Sequence, residues 1–178
     1  MKAFLWHIIC YVPRMNLMFR SLSFIAILLL FSCNESSKET IEVVDFDGLY
    51  SKIDLSDNKT YVLNFWATWC APCVKELPYF EEVNIEFKDK NTEVILVSLD
   101  FPSQIETKLK PYLKKNKIKS KVILLDDSKM NTWVPKVSEQ WDGGIPATLI
   151  VNSSNYNFYP KPFKKEELYI EINKAIDN

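Results

Sequence analysis

The sequence predicts an α/β fold, with a central mixed β-sheet flanked by helices. Short runs that are almost wholly apolar recur along the chain, which is typical of strands covered on both faces. These runs are Tyr61–Trp66, Val94–Leu99 and Ala147–Val151. Between them, apolar residues recur at helical spacing among lysines and glutamates. Strands that alternate with helices favour a mostly parallel sheet with helices on both sides.

The remaining elements follow from the same patterns. Residues 41–58 mix apolar positions with turn formers and predict one strand and one helical turn. The other predicted elements are helix Ala71–Lys90 containing Pro78, helix Ser103–Lys117, strand Val122–Leu125, helix Lys129–Gln140 interrupted by Pro135, strand Tyr156–Tyr159 as hairpin partner of Ala147–Val151, and helix Lys164–Ile176.

Residues 1–33 predict an export signal. Leu22–Phe31 is apolar except for Ser23, with Arg14 and Arg20 before it. This run is shorter than the ~20 residues of a membrane span but suits the apolar core of a signal peptide. An uncleaved anchor helix is the alternative.

Leu30–Cys33 resembles a bacterial lipobox, which implies cleavage before Cys33 and lipid on that cysteine. The expected organisation is a lipoprotein-type signal over residues 1–33, a flexible tether over 34–42 and one domain over 43–178. We expect an extracytoplasmic domain, periplasmic or in the cell envelope, held at a membrane by the lipid.

Charge and composition exclude several function classes. The chain has 22 basic and 23 acidic residues, and the three charges before Cys33 are all basic. The predicted mature chain therefore lacks the basic excess that nucleic-acid binding demands. The only histidine in the full sequence is His7, so cleavage would remove it and exclude Cys-His and Ser-His-Asp catalysis.

Cys70 and Cys73 are the candidate reactive pair. They stand at the start of a predicted helix, where unpaired N–H groups and the helix dipole favour a thiolate. Pro72 suits the first helical turn. We expect the more exposed Cys70 to attack a disulfide and the buried Cys73 to resolve the product. A structural disulfide or a metal clip is the alternative, but a link across two intervening residues closes too short a loop to stabilise much.

Residues Asn64–Cys73, read as Asn-Phe-Trp-Ala-Thr-Trp-Cys-Ala-Pro-Cys, resemble the active site of thioredoxin-like proteins. The similarity is greatest to TlpA/ResA-type membrane-tethered thiol-disulfide oxidoreductases. It extends over residues 60–176 and is sharpest at Asn64–Pro78 and Gly143–Val151. It implies a thioredoxin fold with an extra helix and strand as a central insertion, at Ser103–Leu125.

The resemblance also implies roles for individual residues. Glu76 would assist proton transfer at the cysteine pair, although a solvated helix glutamate is the alternative. Pro146 would be a cis-proline opposite the cysteines, leaving the Ile145 backbone free to pair with a substrate segment. Trp69 and Pro72 would complete the substrate-binding surface.

Asn64 stands where thioredoxins proper usually hold a buried aspartate. An asparagine cannot act as a base, so Glu76 is the nearby carboxylate in sequence that could. Trp66 is expected in the core, and Trp133 and Trp141 in the core or a lid.

The implied function is reduction of disulfides in exported proteins, with apocytochrome c maturation as a plausible pathway. A membrane thiol-transfer protein would supply electrons to a monomer without cofactor or metal. Uncharged Ala71 and Pro72 between the cysteines favour a reductant, but a disulfide-forming oxidant on the same fold is an alternative. A copper metallochaperone is a further alternative, although copper-delivering relatives usually add a third residue between the cysteines and a distant histidine.

Overall fold

The computed structural model describes residues 40–177. The predicted export signal, the lipidation site Cys33 and the tether up to residue 39 lie outside the described residues. The first strand begins at Glu42, at the end of the predicted tether. Across residues 40–177, no helix combines the length and the apolar character needed to cross a bilayer.

The described residues form a mixed sheet of six strands, as the sequence predicts. Its spatial order is β1-β4-β3-β2-β5-β6, in which the first four strands are parallel and β5 and β6 are antiparallel to their neighbours. The strands are β1 Glu42–Val44, β2 Thr60–Trp66, β3 Thr92–Ser98, β4 Lys121–Leu125, β5 Ala147–Val151 and β6 Tyr156–Tyr159. Every residue of β2 is buried, which explains its uninterrupted apolar run.

Helices cover both faces of this sheet. They are α1 Phe46–Tyr50, α2 Ala71–Glu86, α3 Lys110–Lys115, α4 Met130–Val137 and α5 Lys165–Ile176. The α2 and α5 helices share one core with β2, and α1 and α4 share the core on the other face. Leu77, Phe80 and Val83 of α2 recur at helical spacing and are fully buried. Burial of each such side chain stabilises the fold by about 1.5–3 kcal/mol.

The helices predicted at Ala71–Lys90 and Lys129–Gln140 differ from the structure. The helix expected over Ala71–Lys90 ends at Glu86, and a 3₁₀ turn follows at Lys88–Lys90. That turn ends at Asn91, whose φ of 53° lies in the left-handed region that asparagine tolerates. The α4 helix continues past Pro135 to Val137, so the predicted interruption at this proline is wrong.

The helix expected over Ser103–Lys117 is a composite of three turns. A 3₁₀ turn at Pro102–Gln104 and a π-helical turn at Ile105–Leu109 precede α3. Pro111 explains the wider turn, because a proline has no N–H and its ring clashes with the carbonyl four residues earlier. This composite segment and β4 form the predicted insertion, and β4 pairs between β3 and β1.

Candidate active site

The cysteine pair lies at the junction of β2 and α2. Cys70 is the N-cap of α2, and Cys73 lies in its first turn. The two form a disulfide, and the Cys73 N–H donates to Cys70 Sγ at 3.3 Å. Cys70 is 6% exposed and Cys73 is fully buried, in the order that the sequence predicts. An incoming sulfur can therefore reach Cys70 alone of the two.

The loop before β5 lies against this disulfide. The Ile145–Pro146 peptide bond is cis, and the Ile145 carbonyl oxygen lies 3.7 Å from Cys70 Sγ. Trp141 holds the loop through a hydrogen bond from Nε1 to the Gly144 carbonyl at 2.7 Å. Gly143 has a φ of 87°, which favours glycine. The loop thus presents the Ile145 backbone beside the reactive sulfur.

Glu76 is buried behind the cysteines. Its side chain is 1% exposed, so the alternative of a solvated helix glutamate is wrong. Oε1 accepts from Asn64 Nδ2 at 2.9 Å, and Oε2 accepts from the Phe163 N–H at 2.6 Å. Burial raises the pKa of Glu76 to about 7, against the opposing effect of these two hydrogen bonds. Both protonation states are therefore populated at neutral pH.

Asn64 connects Glu76 to the strand that follows the cis-proline. It is fully buried on β2, directly opposite Thr148 of β5. Its Nδ2 donates to Thr148 Oγ1 at 3.2 Å as well as to Glu76. Among the described residues, its Oδ1 has no hydrogen-bond partner. Asn64 therefore positions the carboxylate without being able to accept a proton as a base.

Two clefts flank the cysteine motif. A cleft of about 370 Å³ is lined by Trp69, Phe101, Met130 and Ile145, among others. Trp69 is 59% exposed at its rim, whereas Trp66 is fully buried in the core. A second cleft, of about 320 Å³, lies on the Glu76 side and is lined in part by Pro72, Lys75 and Tyr79.

Comparison with known proteins identifies the family. A model of the AhpC/TSA family matches residues 37–155, more than half of the chain. The chain belongs to the AhpC/TSA family.

Two relatives of this family member are thiol-disulfide oxidoreductases called ResA. The one from Oceanobacillus iheyensis is 46% identical over 65 residues, which are 35% of this chain and 32% of that protein. The one from Bacillus cereus is 38% identical over 84 residues, which are 46% of each chain. The matched segment thus spans less than half the length of either relative.

A solved structure agrees on the fold. A secreted thiol-disulfide isomerase from Corynebacterium glutamicum superposes with a TM-score of 0.58, over 71% of this chain and 77% of that chain. Sequence identity is 19%, so this similarity concerns the fold. The AhpC/TSA-family chain therefore has the thioredoxin fold that the sequence predicts.

One polar residue of this AhpC/TSA-family site was missed by sequence reasoning. Asp100 follows β3 and is 2% exposed. It accepts hydrogen bonds from the Thr68 backbone at 3.0 Å, the Thr68 hydroxyl at 2.6 Å and the Ser98 hydroxyl at 2.9 Å. The sequence does place this aspartate just after a predicted buried strand, and polar residues at the carboxyl end of such a parallel strand often lie at a functional site.

No resident metal site emerges from the described part of this AhpC/TSA-family chain. Residues 40–177 contain no group of three or more histidines, cysteines, aspartates or glutamates arranged to hold an ion.

Trp133 and Trp141 are both buried and pack edge-on against each other. They belong to the core beneath the cis-proline loop.

Proposed function

We propose that this protein is an extracytoplasmic thiol-disulfide oxidoreductase that reduces disulfides in exported proteins. One observation carries the proposal: Cys70 is the accessible member of a cysteine pair at a helix N-terminus, and the Ile145 backbone lies 3.7 Å from its sulfur. Names of the two relatives support the reaction class. The helix N-terminus stabilises the Cys70 thiolate that attacks.

The reaction is a two-step exchange. In the reduced protein, the Cys70 thiolate attacks one sulfur of a client disulfide. A Cys70–client S–S bond forms, the client S–S bond breaks, and the other client sulfur leaves as a thiolate that takes a proton from water. Cys73 then loses its proton and attacks Cys70 Sγ. The Cys70–Cys73 S–S bond forms, the Cys70–client S–S bond breaks, and the second client sulfur leaves as a thiolate that takes a proton from water. Two electrons pass to the client, and the Cys70–Cys73 disulfide remains.

Glu76 is the proposed acceptor of the Cys73 proton. It lies three residues after Cys73 on α2, and residues at this spacing share one face of a helix. A carboxyl group whose pKa is about 7 can both take up and release a proton at neutral pH. Because Cys73 and Glu76 are both buried, bulk water is a poor substitute.

Client docking uses the surface around Cys70. An extended client segment pairs with the Ile145 backbone, while exposed Trp69 and Pro72 border the entry to the sulfur. Pro146 holds the loop that presents this edge. We expect apocytochrome c among the clients, because the resemblance to TlpA/ResA-type proteins implies that pathway.

Lipid on Cys33 would hold the domain at the membrane, within reach of a membrane thiol-transfer protein that returns two electrons to the disulfide. Exchange of Cys33 for serine tests the anchor: the wild-type chain is expected in the membrane fraction and the variant in the soluble fraction. Membrane retention of the variant would contradict lipid anchoring but leave the reaction untouched.

Trapping tests the reaction itself. A Cys73→Ala variant should accumulate a mixed disulfide between Cys70 and a disulfide-containing model client such as insulin, because the resolving thiol is missing. The Cys70→Ala/Cys73→Ala double variant is the matched control and should trap nothing. Wild-type protein, pre-reduced, should instead release free insulin thiols. A Cys73→Ala protein that forms no adduct would contradict the exchange mechanism.

A further inference from the structure

Two exposed aromatic side chains stand at the candidate active site, and each directly follows one partner of a partly buried hydrogen-bonded contact. Trp69, 59% exposed, follows Thr68, and Phe101, 63% exposed, follows Asp100. Thr68 donates to the Asp100 carboxylate from its backbone N–H at 3.0 Å and from its hydroxyl at 2.6 Å. This pair of hydrogen bonds, the Thr68–Asp100 clamp, therefore joins the two loops that carry the aromatic rings.

Burial and a third hydrogen bond hold the Asp100 side of the clamp in place. Asp100 is 2% exposed and also accepts from the Ser98 hydroxyl at 2.9 Å. Hydrogen bonds to a carboxylate are shorter and stronger than those between neutral groups. Removing a donor from a buried carboxylate leaves it poorly solvated, which disfavours any movement that opens the clamp.

The two rings border the cleft of about 370 Å³, which Met130 and Ile145 also line. Its volume lies within the ~300–1,000 Å³ of small-ligand pockets, so a large side chain fits. Cys70 Sγ lies 3.7 Å from the Ile145 carbonyl, so the cleft begins beside the reacting sulfur. A large apolar side chain is the complement of this lining.

The charges of the lining residues further restrict which client segments fit the cleft. Asp100, Asp126 and Asp127 are among the lining residues, and no lysine or arginine is. Asp126 is exposed, and Lys129, a basic neighbour in sequence, does not line the cleft. Such a field favours a positive charge on the segment that enters.

We propose that the Thr68–Asp100 clamp sets the width of this cleft, and that the cleft selects client segments with a large apolar residue followed by lysine or arginine beside the reacting cysteine. A segment paired with the Ile145 backbone rises about 3.3 Å per residue, which brings the residue next to its cysteine to the cleft. The inference rests on the proposed function, because exchange at Cys70 is the reaction that it makes selective.

Defined peptides test the selectivity. The substrates are disulfide-linked dimers of blocked pentapeptides in which the cysteine is followed by Leu-Lys, Gly-Lys or Leu-Glu. The pre-reduced full-length protein is mixed with each, and the rate constant of reduction is measured. The Leu-Lys dimer should react about tenfold faster than Gly-Lys, for partial burial of one leucine. It should react about threefold faster than Leu-Glu, the effect expected of an exposed charge pair.

Ratios between peptides are compared across variants, since a general loss of activity leaves a ratio unchanged. Phe101→Ala, Thr68→Val and Asp100→Asn should each bring the Leu-Lys to Gly-Lys ratio below about three, the first by removing a wall and the others by loosening the clamp. Ile85→Ala is the matched control, because Ile85 is 71% exposed on α2 and does not line the cleft.

The charge preference has its own pair of variants. Asp126→Asn should reduce the Leu-Lys to Leu-Glu ratio about twofold, and raised salt should do the same. Asp89→Asn, also exposed but outside the cleft, should leave that ratio unchanged.

Different results would overturn the proposed selectivity and the proposed oxidoreductase function. Equal rates for all three peptides in the wild-type protein, or an unaltered ratio in Phe101→Ala, would overturn the selectivity and leave the oxidoreductase function standing. A reduced protein that fails to reduce any peptide, and fails to reduce a small disulfide such as dithiobis-nitrobenzoate, would overturn the function and the selectivity with it.

Discussion

Asn64 donates a hydrogen bond from Nδ2 to Oε1 of Glu76 at 2.9 Å, and both side chains are buried. The Phe163 N–H donates to the other oxygen of the carboxyl group. Burial favours the neutral acid while the two donors favour the carboxylate, and burial is the larger effect. Glu76 is thereby held in one place and remains able to change protonation near neutral pH.

The first prediction concerns the resolving step. A Glu76→Gln variant should slow the attack of Cys73 on the mixed disulfide by about 100-fold at pH 7, because the proton acceptor is lost. The fold should survive, since the amide oxygen of the introduced glutamine can accept from Phe163 and the Asn64 amide can turn to present Oδ1. Stopped-flow fluorescence of the reaction with a peptide disulfide separates this step from the first attack.

Glu86→Gln provides the control for this experiment, because Glu86 is exposed at the far end of the same helix. It should leave both steps unchanged. Equal slowing of the first attack and of the resolving step in Glu76→Gln would show that Glu76 acts through the general shape of the site.

The second prediction concerns stability against pH. The pKa of Glu76 is about 7 in the folded protein, above the 4.5 of an ordinary glutamate. Its contribution to stability is therefore fully present below pH 4.5 and is lost as pH rises through about 7, because the unfolded chain releases the proton first. The loss amounts to about 3 kcal/mol.

Urea unfolding of the oxidised protein between about pH 4 and pH 8 measures this loss, since the window brackets both pKa values. The wild-type free energy of unfolding should fall relative to that of Glu76→Gln across this window. Parallel curves for the two proteins would mean that Glu76 titrates normally in the fold.

The third prediction replaces the asparagine that holds Glu76. Asn64→Asp places a second carboxyl group about 2.9 Å from Glu76. Two such groups cannot both ionise readily, so the pair should share a proton and show an apparent pKa above that of Glu76 in the wild type. Carbon-13 NMR of the side-chain carboxyl carbons follows this titration. Asn157→Asp, at an exposed position of β6, is the control and should leave Glu76 unaltered. An unaltered midpoint in Asn64→Asp as well would contradict the hydrogen bond.

Local motifs account for what the sequence could predict at this site. The cysteine pair, Pro72 and Glu76 lie within seven consecutive residues at a helix start, and periodic burial on α2 fixes which of them point inward. The cis bond at Pro146 followed from resemblance of the surrounding loop. The apolar runs that alternate with amphipathic helices predicted an α/β sheet covered on both faces, and the resemblance of the cysteine motif implied the thioredoxin fold.

Contacts between distant residues escaped prediction. Thr68 and Asp100 are separated by 32 positions, as Glu76 and Phe163 are by 87, and no local pattern pairs them. The π-helical turn at Ile105–Leu109 could not be predicted from its apolar spacing, which is that of a regular helix. Pro111 was the one sign in the sequence that the helix is irregular there.

The fourth prediction concerns the loop beside the disulfide. Trp141→Phe keeps an aromatic ring in the core but removes the Nε1 donor to the Gly144 carbonyl. The free energy of unfolding should fall by about 1 kcal/mol. The rate of client reduction should fall as well, because the Ile145 edge is held less firmly.

Tyr61→Phe is the comparison, since the hydroxyl of buried Tyr61 donates to Asp57 at 2.8 Å and Tyr61 does not line the cleft beside this loop. It should lower stability by a similar amount without lowering the rate. Equal rates of client reduction in the two variants would show that the Trp141 hydrogen bond does not affect client docking.

The direction of electron flow is the central claim, and the reduction potential of the Cys70–Cys73 pair tests it most directly. The pair is equilibrated in defined thiol/disulfide buffers, with the fluorescence of Trp69 beside Cys70 as readout. The proposed reductant requires a value near the ~−270 mV of thioredoxin, which a membrane thiol-transfer protein can sustain. A value near the ~−120 mV of strong oxidants would contradict that function and make the protein a disulfide donor.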